Sequence, residues 1–127
     1  MQRKGWDDLE LQAQLAQFNQ PLVNRVKLAG IVQAIEPQRF TAAGMPAQRL
    51  TVVHLSEQAA ATTARRVQCE LAVQLLGEAL CAVAKTLSVG DGIEVDGFLT
   101  RNAYKRELSW VIVEATQINK LTVVQPQ

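Results

Sequence analysis

The chain has 127 residues, 48% of them hydrophobic, which suits one compact domain that removes roughly 60 to 70% of its unfolded surface from water on folding. Its net charge of +1 excludes histone-like neutralisation of duplex DNA and leaves nucleic-acid binding open only where cations gather on one face. The two cysteines, Cys69 and Cys81, fall short of a disulfide framework. With no apolar run near about 18 residues and no hydrophobic leader behind Met1, the protein is expected to be soluble, cytoplasmic and reduced.

In residues 1–20, Leu9, Leu11, Leu15 and Phe18 are spread among Gln, Asp and Glu at rough helical spacing, which fits a short amphipathic helix or a disordered arm. Pro21 breaks any helix, and composition shifts after it, so residues 1–20 are read as an arm and 21–127 as the folded domain. The arm carries two basic and three acidic residues, which leaves 11 of the 13 cations and 9 of the 12 acids in the domain. From Asn24, the residues Val26, Leu28, Gly30 and Val32 share one parity and Arg25 and Lys27 the other, the pattern of a strand buried on one face. Pro37 ends it. Thr41 to Pro46 has turn punctuation, and a second strand follows over Leu50 to Leu55. Glu57 to Ala64, four alanines and two threonines without a period, reads as a mobile loop before a third strand, Arg65 to Val73.

Between Leu75 and Leu87, the residues Leu76, Leu80, Val83, Ala84 and Leu87 recur at helical spacing, with Lys85 near the end that favours cations. A turn over Ser88 to Gly92 leads to a fourth strand through Ile93, Val95 and Leu99, and a fifth runs from about Leu108 to Ile118. Three strands, a helix and two strands is the order of the OB fold, an all-β, five-stranded Greek-key barrel with one helix between strands 3 and 4.

Catalysis is poorly served. His54, the single histidine, sits in a strand among Thr51, Val52, Val53 and Leu55 and reads as structural or surface; both cysteines read as core fillers. Cys69, Cys81 and His54 lack the close pairs of a zinc site, and no glycine motif cradles phosphate, so no enzyme activity, metal or cofactor is expected. The richest segment is Thr100 to Trp110, between the last two strands. It combines Arg101, Lys105 and Arg106 with Tyr104 and Trp110, cations for phosphates and aromatic faces for bases, at a loop the fold uses for ligands. Arg65 and Arg66 are either a solvated pair or a second cationic contact; Arg39 with Phe40, and Arg49, are further candidates beside the first turn.

Asn24-Arg25-Val26-x-Leu28-x-Gly30, Gly44-Met45-Pro46, Val53-His54, Ser88-Val89-Gly90, Val95-x-Gly97-Phe98, Leu108-Ser109 and Ala115-x-Gln117-Ile118 together resemble the primosomal replication protein N family, over roughly residues 23 to 121. The resemblance implies an OB-fold homodimer that binds single-stranded DNA and bridges it to a primosomal helicase and to single-stranded DNA-binding protein during replication restart. It implies a DNA-contacting loop between strands four and five, with Lys105 at a matching lysine and Ala103 where a second lysine is expected. Leu50 and Gln68 stand where the family can have stacking aromatics. The alternative is an OB-fold adaptor that bridges proteins with vestigial DNA affinity.

Overall fold

A computed structural model of the chain describes residues 7–101 and 111–124. In chain order it holds α1 (Asp8–Leu15), β1 (Val26–Ile35), β2 (Arg39–Phe40), β3 (Pro46–Ala60), β4 (Thr63–Leu76), α2 (Glu78–Ala84), β5 (Gly92–Arg101) and β6 (Val111–Lys120). The sheet order is β1-β5-β6-β4-β3-β2, and β1 also pairs with β3, which closes five strands into a barrel and leaves β2 as a short addition to β3. Every pairing is antiparallel except β4 with β6, the parallel contact that closes the Greek key. This is the OB fold expected from the order of elements.

Alternate residues point inward and make the core: Val32 from β1, Leu50 and Val52 from β3, Val73 and Leu75 from β4, Ile93 and Val95 from β5, and Val113 from β6. One end is plugged by α2, whose Cys81 and Ala84 are buried. Burial pushes the Cys81 thiol above its ordinary pKa, with Lys85 pulling partly back, so the group stays a protonated apolar filler. Strands come close where side chains are missing. A methyl group at Gly30 would lie 2.5 Å from the Val53 carbonyl oxygen, and one at Gly97 would collide with the Glu114 carbonyl at the β5 bulge.

The structure corrects several sequence expectations. The stretch 57–64 is no loop: β3 and β4 pair without interruption from Ala47↔Leu76 to Ala60↔Thr63, and a two-residue turn at Ala61 and Thr62 joins them. Both faces of this overhanging hairpin meet solvent, so no core imposed an alternating pattern on it. The helix is shorter than 75–87, because Leu75 and Leu76 still pair in β4 and Gly77, at φ +96°, turns the chain before Glu78. Its apolar spacing runs on through a tightened turn in which the Leu87 N–H donates to the Ala84 carbonyl. Cys69 is exposed and is no core filler, because it lies where β4 passes beyond the β1 wall.

His54 is structural, as expected. Its Nδ1–H donates to the Ala29 carbonyl at 2.7 Å, and Nε2 shares a hydrogen bond with Ser56 Oγ at 2.7 Å. The ring bridges β1 and β3 just past their last backbone pair, Ile31↔Val53. Ahead of the barrel, α1 is capped by Asp7, whose carboxylate accepts from the Glu10 N–H at 2.7 Å, and every residue from Asp7 to Arg25 is exposed. Among the described residues, no helix is long and apolar enough to cross a membrane.

Candidate nucleic-acid interface

Side chains of like parity line the outer face of β3 and β4. Arg49, Thr51, Val53 and Leu55 point outward from β3; opposite them stand Gln74, Ala72, Glu70 and Gln68 from β4. At one end this face runs into a cleft of about 290 Å³. Its floor is apolar, from Ala47, Leu76 and Ile112. Thr41 closes one side, and the other is built from Thr100, Arg101 and Glu114.

Local order fixes each wall. Thr41 heads a turn in which its N–H donates to the Met45 carbonyl at 2.8 Å and its Oγ1 accepts from the Met45 N–H at 3.1 Å, with Gly44 at φ +84°. The Gln48 amide donates to the Glu36 carbonyl at 3.0 Å and straps the preceding segment to β3. Arg49 is aimed by its cross-strand partner: its Nε and Nη2 both donate to Gln74 Oε1, at 3.3 and 2.9 Å. Gln74 is itself buried, an anchored amide rather than a surface one. The end of β5 is held by Asn24, whose Nδ2 donates to the Leu99 carbonyl at 2.8 Å while its Oδ1 accepts from the Leu99 N–H at 2.9 Å.

Of the residues singled out in the sequence, Arg49 and Arg101 meet in this cleft. Arg39 and Phe40 form β2 beside it, paired with Ala47 and Pro46, and Phe40 is 67% exposed, an open aromatic face at the rim. Arg65 and Arg66 are exposed near the tip of the hairpin, opposite Gln58 and Glu57, and Arg66 lines a hollow with Leu55, Ser56 and Glu57. Arg66 shares its parity with Gln74 but stands eight residues along β4, about 26 Å at 3.3 Å per residue, so it does not join the cleft. Tyr104, Lys105, Arg106, Trp110 and Ala103 lie outside the described residues.

Leu50 cannot stack on a base. It is fully buried at an inward position between Val52 and the barrel end, whereas Gln68 is exposed on the outer face. Sequence reasoning passed over Gln74 and Glu114, and took Thr41 only as the start of a turn and Thr100 only as the start of the loop between the last two strands. The signal for the first two was present: each is a single polar residue within an apolar run, Val73-Gln74-Leu75 and Val113-Glu114-Ala115, at outward parity.

Oriented guanidinium groups beside an apolar floor, at the ligand position of an OB barrel, suit a polyanion with flat apolar bases. A family model described as another single-strand binding protein family matches residues 24–115. The chain belongs to that family. Replication restart protein PriB of Klebsiella pneumoniae is 28% identical over 97 residues, covering 76% of this chain and 93% of the relative. PriB of Citrobacter koseri is 29% identical over the same coverage. Among solved structures, PriB of Ralstonia solanacearum superposes with a TM-score of 0.68 at 21% identity, covering 79% of this chain and all of that one, a likeness of fold. The single-stranded DNA binding protein of Thermus aquaticus reaches a TM-score of 0.64 at 27% identity, covering 79% of this chain and 50% of the other.

Proposed function

We propose that the protein is a non-enzymatic single-stranded DNA-binding accessory factor of replication restart. The strand crosses the cleft and follows the outer face of β3 and β4. The observation that carries this reading is the meeting of Arg49 and Arg101 at the OB ligand position of a chain from a single-strand binding family. Arg39 and Phe40 extend the contact at the rim, Arg66 extends it at the far end, and the 102–110 segment adds Lys105, Arg106, Tyr104 and Trp110. In this reading the barrel is the DNA-binding domain over residues 21–127, residues 1–20 are an appended arm, and the protein works in the cytoplasm.

By kinship with the replication restart proteins, the bound strand is presented to a primosomal helicase and to single-stranded DNA-binding protein. The working unit is a homodimer. Over Val26–Gly30, β1 is paired with β5 alone, because its pairing with β3 begins at Ile31, and such a one-sided strand is a natural edge for a second copy. Light scattering then gives about twice the chain mass of 14.0 kDa; a monomer at micromolar concentration removes this part of the proposal.

The protein-bridging alternative has one observation behind it: the two positions considered for base stacking hold a buried Leu50 and an aliphatic amide, Gln68. Anisotropy titration of labelled oligo(dT) at several salt concentrations separates the two. Phosphate-driven binding weakens with salt, with a log–log slope of about −0.7 per neutralised phosphate. Absence of binding, or binding indifferent to salt, favours the adaptor.

A further inference from the structure

A carboxylate in a phosphate-binding cleft needs a reason. Glu114 lines the same cleft as Arg49 and Arg101, half-buried, one strand away from Gln74 in the parallel β4–β6 pairing. Among the described residues its carboxylate has no hydrogen-bond or ion-pair partner. Facing a phosphodiester, such a group only repels. Facing the edge of a base, it is a pair of strong acceptors set side by side, able to take two parallel N–H bonds.

The four bases differ in what they offer such an acceptor. Cytosine and adenine place an exocyclic amine next to a ring-nitrogen acceptor, and thymine flanks its one N–H with two carbonyl oxygens. Guanine alone presents two adjacent donors, N1–H and the N2 amine, on its Watson–Crick edge, and its O6 and N7 acceptors lie on the side that suits an arginine. Arg49, aimed by Gln74, lines the same cleft on the other side of Gln74, and the apolar floor of Ala47, Leu76 and Ile112 accepts a base plane.

We propose that the cleft is a guanine-reading subsite, in which Glu114 accepts from N1–H and N2–H of one unpaired guanine while Arg49 faces its O6 edge. The inference rests on the single-stranded DNA reading above and adds a base preference to it. The protein then holds a strand by its phosphates along β3 and β4 and fixes its register wherever a guanine reaches the cleft.

The test compares 15-nucleotide oligo(dT) with the same oligonucleotide carrying one central dG, dA, dC or deoxyinosine, by anisotropy at fixed salt. One dG is expected to tighten binding about tenfold, the scale of one bidentate base contact. Deoxyinosine, which lacks the N2 amine, should fall most of the way back to oligo(dT). The Glu114→Gln variant, whose amide cannot accept two N–H bonds from one edge, should lose the dG preference and bind plain oligo(dT) somewhat more tightly than the wild type. Retained oligo(dT) binding shows that this variant is folded. Equal affinity of the wild type for the dG and dT oligonucleotides overturns the guanine subsite alone, as does a dG preference that survives Glu114→Gln. Failure of the wild type to bind any of them overturns the DNA-binding reading as well.

Discussion

Replacing Arg66 by alanine tests whether the strand follows the hairpin as well as filling the cleft. Arg66 and Gln74 share the outer face of β4 eight residues apart, about 26 Å, with no break in the β3–β4 register between them. At about 3.4 Å per stacked nucleotide, a strand needs roughly eight nucleotides to reach from one to the other. Loss of one phosphate contact should therefore flatten the log–log salt slope by about 0.7 with a 15-nucleotide oligo(dT), so that the fall in affinity from 50 to 200 mM salt is about 2.6-fold smaller. A four-nucleotide oligo(dT) seated in the cleft should show no change. Through-space effects cannot mimic the result, since 26 Å is more than twice the roughly 10 Å Debye length at 0.1 M. Arg65→Ala is the internal control, because Arg65 occupies the opposite parity. Anisotropy titrations over four salt concentrations read all three slopes. An unchanged slope with the long oligonucleotide refutes a track along β4, and an equal loss with the short one refutes the assignment of the cleft as its other end.

Leu75→Ala empties a fully buried position and should cost about 2 to 5 kcal/mol, lowering the thermal midpoint by at least about 8 °C in a circular-dichroism melt. Ala61→Gly should leave stability unchanged or raise it by up to about 1 kcal/mol, because Ala61 holds φ +54° at the hairpin turn; a clear loss in denaturant titration contradicts that strain. Lys105→Ala with Arg106→Ala should flatten the salt slope by about 1.4, whereas Trp110→Ala should remove about 1 to 3 kcal/mol of binding with the slope unchanged. A chain beginning at Pro21 should keep its oligo(dT) affinity, since the described part of the arm is exposed and its acids do not favour DNA; a folded truncation that loses binding refutes this.

Sequence patterning revealed the fold wherever one face of an element meets the core. Val26 to Val32 and Ile93 to Leu99 alternate because a one-residue slip would turn every apolar side chain to water, and the structure has strands at both. Where that penalty is missing, the pattern was silent. Residues 57–64 pair through backbone alone, so alanine and threonine satisfy the ladder as well as any residue, and nothing in their order separates a strand from a loop. The same gap misplaced Cys69. Leu50 stands where the family likeness allows a stacking aromatic, and the structure buries that position on the inward face beside Val52. The site was half legible, in that its cations announced themselves by charge, but the residues that aim and qualify them did not. Gln74 matters because β4 sets it opposite Arg49, and Glu114 because a parallel pairing of β4 with β6 sets it beside Gln74, and both are tertiary facts.

The same placement explains how a chain of net charge +1 can hold a polyanion. Two of its acids are spent locally, away from the cleft: Glu94 pairs with Lys27 at 3.5 Å across β1 and β5, and Asp91 with Lys120 at 3.3 Å where β6 ends. Asp91 also accepts from the Ser88 N–H at 2.8 Å, and this bond, with Lys120 beside it, holds its carboxyl below the usual range. These pairs add little stability at an exposed surface, but they remove equal and opposite charges from the long-range field. Arg39, Arg49 and Arg101 gather at one end of the β3–β4 face and Arg66 stands at the other. A strand laid along that face meets cations at both of its ends, with Glu70 between them, although a distant ion meets a nearly neutral particle. Association should then gain little from electrostatic steering, and the effect of salt should fall mainly on how long the complex lasts. Stopped-flow measurement of the two rates against salt would show the dissociation rate carrying most of the slope; a slope carried by the association rate would mean that the protein presents a single positive field after all.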